Sequence, residues 1–184
     1  MKTMIIMTSP NRDGLTAACA QSAFDGIAAA GSEAVPVRLN ELSVGNCKAC
    51  GNGWGTCREK NECQVQDGFQ PLHRSIAAAD AIVLVTPVYW GEMSESAKAF
   101  TDRFRRCEAM KANDSGMLRG KPILCIAAAG GSGNGFITCL ASMERWCQHV
   151  GAERADMIGV TRRSREYGLG RIREAAEAMM KSKA

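Results

Sequence analysis

The sequence predicts an α/β fold, a three-layer sandwich around a five-stranded parallel sheet of order 2-1-3-4-5. Three observations lead there. Strand-like and helix-like patterns alternate from one end of the chain to the other. The runs Ala81-Ile-Val-Leu-Val85 and Pro122-Ile-Leu-Cys-Ile-Ala127 are continuously apolar, as strands covered on both faces must be. The second candidate strand contains Pro36, which has no N–H to donate to a ladder and belongs at an edge. Right-handed crossovers restrict what remains and put the first strand inside the sheet.

The elements follow in order. Residues 2–8 form the first strand, from the apolar run Met1-Lys-Thr-Met-Ile-Ile-Met7. A helix near 15–30 sets Leu15, Cys19, Ser22, Ala23, Ile27 and Ala30 on one stripe, and Gly31 ends it. Glu33–Leu39 alternates apolar and polar residues and is the second strand. A polar, Gly-rich and Cys-rich insertion spans about residues 40–67. It exceeds ordinary connections, which points to function. A helix near 68–79 presents Phe69, Leu72, Ile76 and Ala79 ahead of the third strand at Ala81–Val85. A helix from about 94 to 108 carries Met93, Ala97, Phe100, Phe104 and Cys107. Pro122–Ala127 is the fourth strand, and Ala128–Gly135 is a glycine-rich loop after it. Phe136, Leu140, Met143, Cys147 and Val150 mark a helix, Ala152–Val160 the last strand, and Leu169, Ile172, Ala176 and Met179 a C-terminal helix.

Composition bounds the function. The 184 residues suit one domain, 1–184, and 46% hydrophobic with 23% charged residues describes a globular protein. No apolar run reaches a membrane span, and the N-terminal run is too short for a signal peptide, so a cytoplasmic protein without a membrane partner is expected. The net charge of +4 is mild, and aromatics make up only 5%. No nucleic-acid partner is expected. The basic clusters Arg162-Arg163-Ser-Arg165 and Arg103-Phe-Arg105-Arg106 read as solvated surface, with the first able to hold a phosphate-bearing partner instead.

Three loops leave the carboxyl ends of strands one, three and four, where ligands of such sheets bind. Ser9–Thr16 leads into a helix N-terminus, whose unpaired N–H groups and dipole suit a phosphate. An ordinary helix start would look the same. The loop is neither Gly-x-x-x-x-Gly-Lys-Ser/Thr nor Gly-x-Gly-x-x-Gly. Thr86-Pro-Val-Tyr-Trp-Gly-Glu-Met-Ser94 offers two adjacent aromatics, which cannot both face inward from a regular strand. Ala128–Gly135 is rich in glycines that let a backbone approach a flat ligand. A phosphate at one end and a planar ring at the other describe a mononucleotide, with FMN the first candidate.

These residues resemble the flavodoxin-like NAD(P)H-dependent FMN reductases, including their iron–sulfur flavoprotein relatives. The matching segments are Thr8-Ser-Pro…Asp13-Gly14…Thr16, the run Thr86–Arg103 and the Gly130-Gly-Ser-Gly loop, with the middle one most specific. The resemblance implies FMN held at its phosphate by Ser9, Asn11, Gly14, Leu15 and Thr16. It implies a ring against Pro87, Val88, Tyr89, Trp90 and Gly91 and against Ala129, Gly130, Gly131, Ser132 and Gly133, with Ser94 capping the next helix. Asn11 stands where relatives often have Arg, and Arg12 is expected to supply that charge. The activity implied is NAD(P)H-dependent reduction of a flavin, quinone or similar small-molecule acceptor. A homodimer or homotetramer is expected, because a single site at a sheet edge leaves the ring exposed for a second subunit to cover. The alternative is an FMN electron-transfer protein, with or without an iron–sulfur cluster. No catalytic side chain is expected, because the flavin carries the chemistry.

Nine cysteines are many for a reducing compartment. Cys19, Cys107, Cys125, Cys139 and Cys147 lie in apolar patterns and read as small hydrophobes. Cys47, Cys50, Cys57 and Cys63 crowd the insertion and have three readings: free thiols, ligands of a [4Fe–4S] cluster, or zinc ligands. In the iron–sulfur relatives two residues separate each pair among the first three cysteines, whereas six separate Cys50 from Cys57 here. That gap favours free thiols or a labile site over the cluster, and the cluster over zinc. The four are expected together beside the flavin crevice, with Trp54 available as a lid. His73 and His149 read as satisfied surface or boundary residues on helices.

Overall fold

The computed structural model describes residues 1–111 and 115–181. In chain order they form β1 (Lys2–Met7), α1 (Leu15–Ala29), β2 (Glu33–Arg38), the short α2 (Thr56–Glu59), α3 (Phe69–Ala77), β3 (Ala81–Tyr89), β4 (Glu92–Met93), α4 (Glu95–Glu108), β5 (Pro122–Ala129), α5 (Phe136–Val150), β6 (Glu153–Thr161) and α6 (Arg165–Lys181). The long strands are parallel, in the order β2-β1-β3-β5-β6. The sequence predicts five strands; the sixth, β4, is a two-residue strand folded back antiparallel on β3. It shifts the strand numbering and leaves the sequence of the five parallel strands as expected. β2 is the edge strand, with Pro36 opposite Ile5.

Period-two patterning explains the continuous apolar runs. Ile82, Leu84, Ile123 and Cys125 face a layer built from α3, α4 and α5, where Phe69, Phe100, Phe104 and Trp146 pack together. Val83, Val85, Leu124 and Ile126 face the opposite layer, built from Cys19, Ala23 and Ile27 of α1 and Ile172, Ala176 and Met179 of α6. Each central strand is therefore buried on both sides. The helices α1 and α6 touch where a Cβ on Gly26 would lie 2.2 Å from the Arg173 carbonyl oxygen, so a side chain there would force them apart.

His73 departs from the sequence reading. It is buried, stacked on Phe69 with centroids 5.3 Å apart, and its Nε2 lies 3.4 Å from Glu108. Its place on the inner face of an amphipathic α3 explains the burial. The five cysteines read as hydrophobes are all buried. Burial pushes the thiols of Cys19, Cys107 and Cys139 up to about 12, which keeps them protonated and inert.

Candidate functional site

The carboxyl ends of β1, β3, β5 and β6 open on one crevice of about 500 Å³. That is within the range of small-molecule sites. Its framework is a hydroxyl network. Thr8 continues β1 by donating its N–H to Val85 O at 3.0 Å. Ser94, the cap of α4, accepts from Ala97 N at 3.3 Å and donates to Thr8 O at 2.9 Å. The Ser94 N–H donates to Thr86 Oγ1 at 3.0 Å. Three elements, the end of β1, β3 and the start of α4, are thus joined through buried hydrogen bonds, and such a network holds the loop after β1 in place.

That loop ends in Gly14, at φ 92°, immediately before α1. No side chain caps α1 and its first turn holds no acidic residue. Its leading N–H groups therefore remain available to an anion. A Cβ on Gly14, Gly130 or Gly131 would meet no atom within 4 Å, so space is open beside all three backbones. This fits a phosphate at α1 and a flat group against the glycine loop.

Ser9, Asn11, Gly14, Leu15, Thr16, Pro87, Val88, Tyr89, Gly130 and Gly131 all line the crevice, joined by Asp13, Ala128, Arg162 and Arg165. The other expected residues lie elsewhere. Arg12 turns outward to Glu41 at 2.9 Å, drawn by a carboxylate that also pairs with Arg38. Trp90 is fully exposed at the tip of the β3–β4 turn. Gly91 packs against the glycine loop, and Ser94 and Ala129 are buried beneath the rim. Ser132 and Gly133 line a neighbouring cavity. Arg162 and Arg165 line the crevice without having been expected there by name, although their basic cluster was the available signal. The arginines on the crevice wall belong to the β6–α6 turn.

The rim is shaped by two close approaches. Trp90 and Gly91, at φ 51° and 80°, make a two-residue hairpin turn of the I′ kind, the form that matches strand twist. Gly135, at φ 80°, leans on that turn: its Cβ would sit 2.7 Å from Gly91 Cα. Thr138 Oγ1 donates to Gly91 O at 2.7 Å and fastens the contact.

Cys47, Cys50, Cys57 and Cys63, all half-buried, line one small cavity of about 20 Å³, together with Arg103 and Arg106. It shares no lining residue with the crevice. The expectation of a site beside the flavin crevice is corrected: the cavity lies along α4, and Arg103 is nine residues, about 13 Å of helix, beyond Ser94. Trp54 is not a lid, because the Arg106 guanidinium stacks on its ring at 4.8 Å. Arg103, 1% exposed, anchors the segment. It donates to Gly45 O, Val65 O, Asp67 Oδ2 and Cys63 Sγ, and its guanidinium lies 4.3 Å above Phe69. Among the described residues no three His, Cys, Asp or Glu are arranged to hold a metal ion. The four thiols have the donor chemistry of an iron–sulfur ligand set. A cavity of about 20 Å³ has room for roughly one water and does not fit the cluster as it stands.

Residues 1–153 match the sequence profile of the NADPH-dependent FMN reductases. The chain belongs to that family. It is 30% identical over 103 residues to an iron–sulfur flavoprotein of Archaeoglobus fulgidus, covering 56% of this chain and 45% of that protein. It is 30% identical over 105 residues to one from Methanocaldococcus jannaschii, covering 57% and 52%. The chain spans about half the length of these curated relatives. The fold is similar to that of an NAD(P)H:quinone oxidoreductase from Methanothermobacter marburgensis, with TM-score 0.78, 16% identity and coverage of 97% and 96% of the two chains. A flavodoxin from the Archaea gives TM-score 0.65 at 14% identity, covering 99% and 98%. Family and flavodoxin-like fold therefore agree. No helix among the described residues is long and apolar enough to cross a membrane.

Proposed function

We propose that the protein is an FMN-dependent NAD(P)H oxidoreductase that reduces a flavin, a quinone or a similar small acceptor. The observation that carries this reading is the crevice, where an uncapped helix N-terminus and open glycine backbones face the same space. The N–H groups of Leu15 and Thr16 and the hydroxyls of Ser9 and Thr16 would hold the FMN phosphate. Arg165 would balance its charge. Pro87, Val88 and Tyr89 on one side and Gly130 and Gly131 on the other would bound the ring. Bound FMN supplies hydride acceptance and release, while these groups orient it and exclude water.

Fluorescence titration with FMN tests the site. Gly14→Val places a β-branched side chain at φ 92° and fills the open space, so affinity falls by about tenfold or more. Wild-type protein that neither contains nor binds FMN would end the reading. Stopped-flow mixing with NADH and NADPH tests turnover, and flavin bleaching is the expected result.

Trp90, fully exposed on the rim, supports a homodimer or homotetramer that covers the crevice mouth. Light scattering at micromolar concentration should give at least twice the monomer mass. The second reading, an electron-transfer flavoprotein, is favoured by the 30% identity to iron–sulfur flavoproteins. Near-stoichiometric iron and sulfide after anaerobic purification would select it.

A further inference from the structure

Among the four half-buried cysteines, Cys57 and Cys63 are drawn together by the fold of their segment. Thr56 clasps the chain on both sides of Cys63: its Oγ1 donates to Glu62 O at 2.7 Å, and its N–H to Gln64 Oε1 at 3.2 Å. Cys57 and Cys63 both pack against the core layer that holds Cys107. The Cys107 thiol feels both of them: burial pushes it up, and Cys63 and Cys57 push it further, to about 12. Both also line the small cavity along α4. There the buried Arg103 donates to Cys63 Sγ at 3.3 Å, and its Nε has no hydrogen-bond partner among the described residues. A fixed guanidinium beside a sulfur stabilises the negative charge that the sulfur carries as a nucleophile.

We propose that Cys57 and Cys63 are a dithiol that hydrogen peroxide oxidises to a reversible disulfide. The cavity does not fit a cluster, whereas a sulfur–sulfur bond needs no room beyond the two sulfurs. Cys63, as its thiolate, attacks one oxygen of the peroxide. The O–O bond breaks, and the departing hydroxide takes up the proton that the thiol released and leaves as water. Cys63 is then a sulfenic acid. The Cys57 sulfur attacks it, the S–S bond forms, and the sulfenic oxygen leaves as a second water. Two thiols have lost two electrons, and one peroxide has gained them. The five cysteines at 0% exposure are shut off from the oxidant. Neither member of the pair lines the crevice, so the proposal stands apart from the reductase reading.

The test counts thiols. Purified protein is treated with hydrogen peroxide, then labelled with N-ethylmaleimide in denaturant and weighed by mass spectrometry. Reduced protein takes nine labels, one per cysteine. Oxidised protein should take two fewer and recover them after dithiothreitol. Trypsin cuts at Arg58 and Lys60, so the disulfide should join two separate peptides, with fragment spectra distinguishing Cys57 from Cys50. Cys57→Ser and Cys63→Ser should each abolish the link, whereas Cys47→Ser and Cys50→Ser should keep it. Dimedone should trap the sulfenic acid on Cys63 in Cys57→Ser. Nine labels after peroxide, a link between any other two cysteines, or no dimedone adduct on Cys63 overturns the assignment. Near-stoichiometric iron and sulfide in anaerobically purified protein, lost in Cys57→Ser, overturns it as well, because the thiols would then belong to a cluster.

Discussion

The Arg103 guanidinium donates a hydrogen bond to Cys63 Sγ at 3.3 Å and, through its other terminal nitrogen, one to Asp67 Oδ2 at 2.6 Å. Because the guanidinium also donates to Gly45 O at 2.9 Å, a single α4 side chain ties both ends of a segment that has little regular structure of its own. Replacing it by Met keeps the volume and removes the donors. Arg103→Met should destabilise the protein by about 3 kcal/mol, because Asp67 and two backbone carbonyls lose their partner. Urea unfolding measures the loss. Faster alkylation of Cys57 and Cys63 under native conditions should accompany it.

Asp67 gives the same segment a pH dependence. Burial pushes its carboxyl up, but hydrogen bonds from Arg103, Gly45 N and Phe69 N outweigh burial and leave it below its ordinary 3.8. A lowered folded value stabilises the fold above the ordinary one, and that contribution is lost as pH falls through the lowered value. Glu108 adds the same sign: burial raises it, and His73, Lys111 and Met117 N bring it below its ordinary 4.5. Stability should therefore fall as pH drops below about 4.5, with Asp67→Asn removing part of the slope. A denaturation series between pH 3 and 6, at roughly half-unit steps, reads both effects.

Trp90 holds a left-handed backbone, at φ 51°, that costs an L-residue about 1 kcal/mol. Because its side chain is fully exposed, Trp90→Gly should stabilise the monomer by about that amount. The same substitution should weaken the proposed self-association. A lowered Tm, or an unchanged mass by light scattering, would contradict this account.

Gly135 tolerates no side chain. Gly135→Ala puts a methyl group 2.7 Å from Gly91 Cα at φ 80° and should cost about 2 kcal/mol. FMN affinity should fall with it, since the two crevice loops separate. Gly130→Ala, whose Cβ meets open space, should leave stability within about 0.5 kcal/mol and impair only ligand binding.

The strand order was legible because two-sided burial writes itself into Ile82–Val85 and Ile123–Ile126, and because Pro36 marks an edge. The crevice loops were legible for the same reason, since strand ends fix where loops emerge. Arg162 and Arg165 were not, because a basic cluster reads alike whether it meets solvent or a cavity. Nor was Arg103: nothing in spacing separates a fully buried arginine from a surface one when its partners are backbone carbonyls 38 and 58 residues away. The cysteine segment was placed by chain order at the end of β2, but its side chains are drawn along α4 by that arginine.

The contact between Gly91 and Gly135 has a consequence for how such a crevice diversifies. Backbone rests on backbone there, with no side chain between. The spacing of the two loops at that point is therefore gauged by the thickness of two peptide chains, a dimension that substitution elsewhere in either loop leaves alone. Side chains around it, such as Ser132, can change while that spacing stays fixed. Sequence change in the crevice loops would then act as repainting a frame whose joinery stays the same.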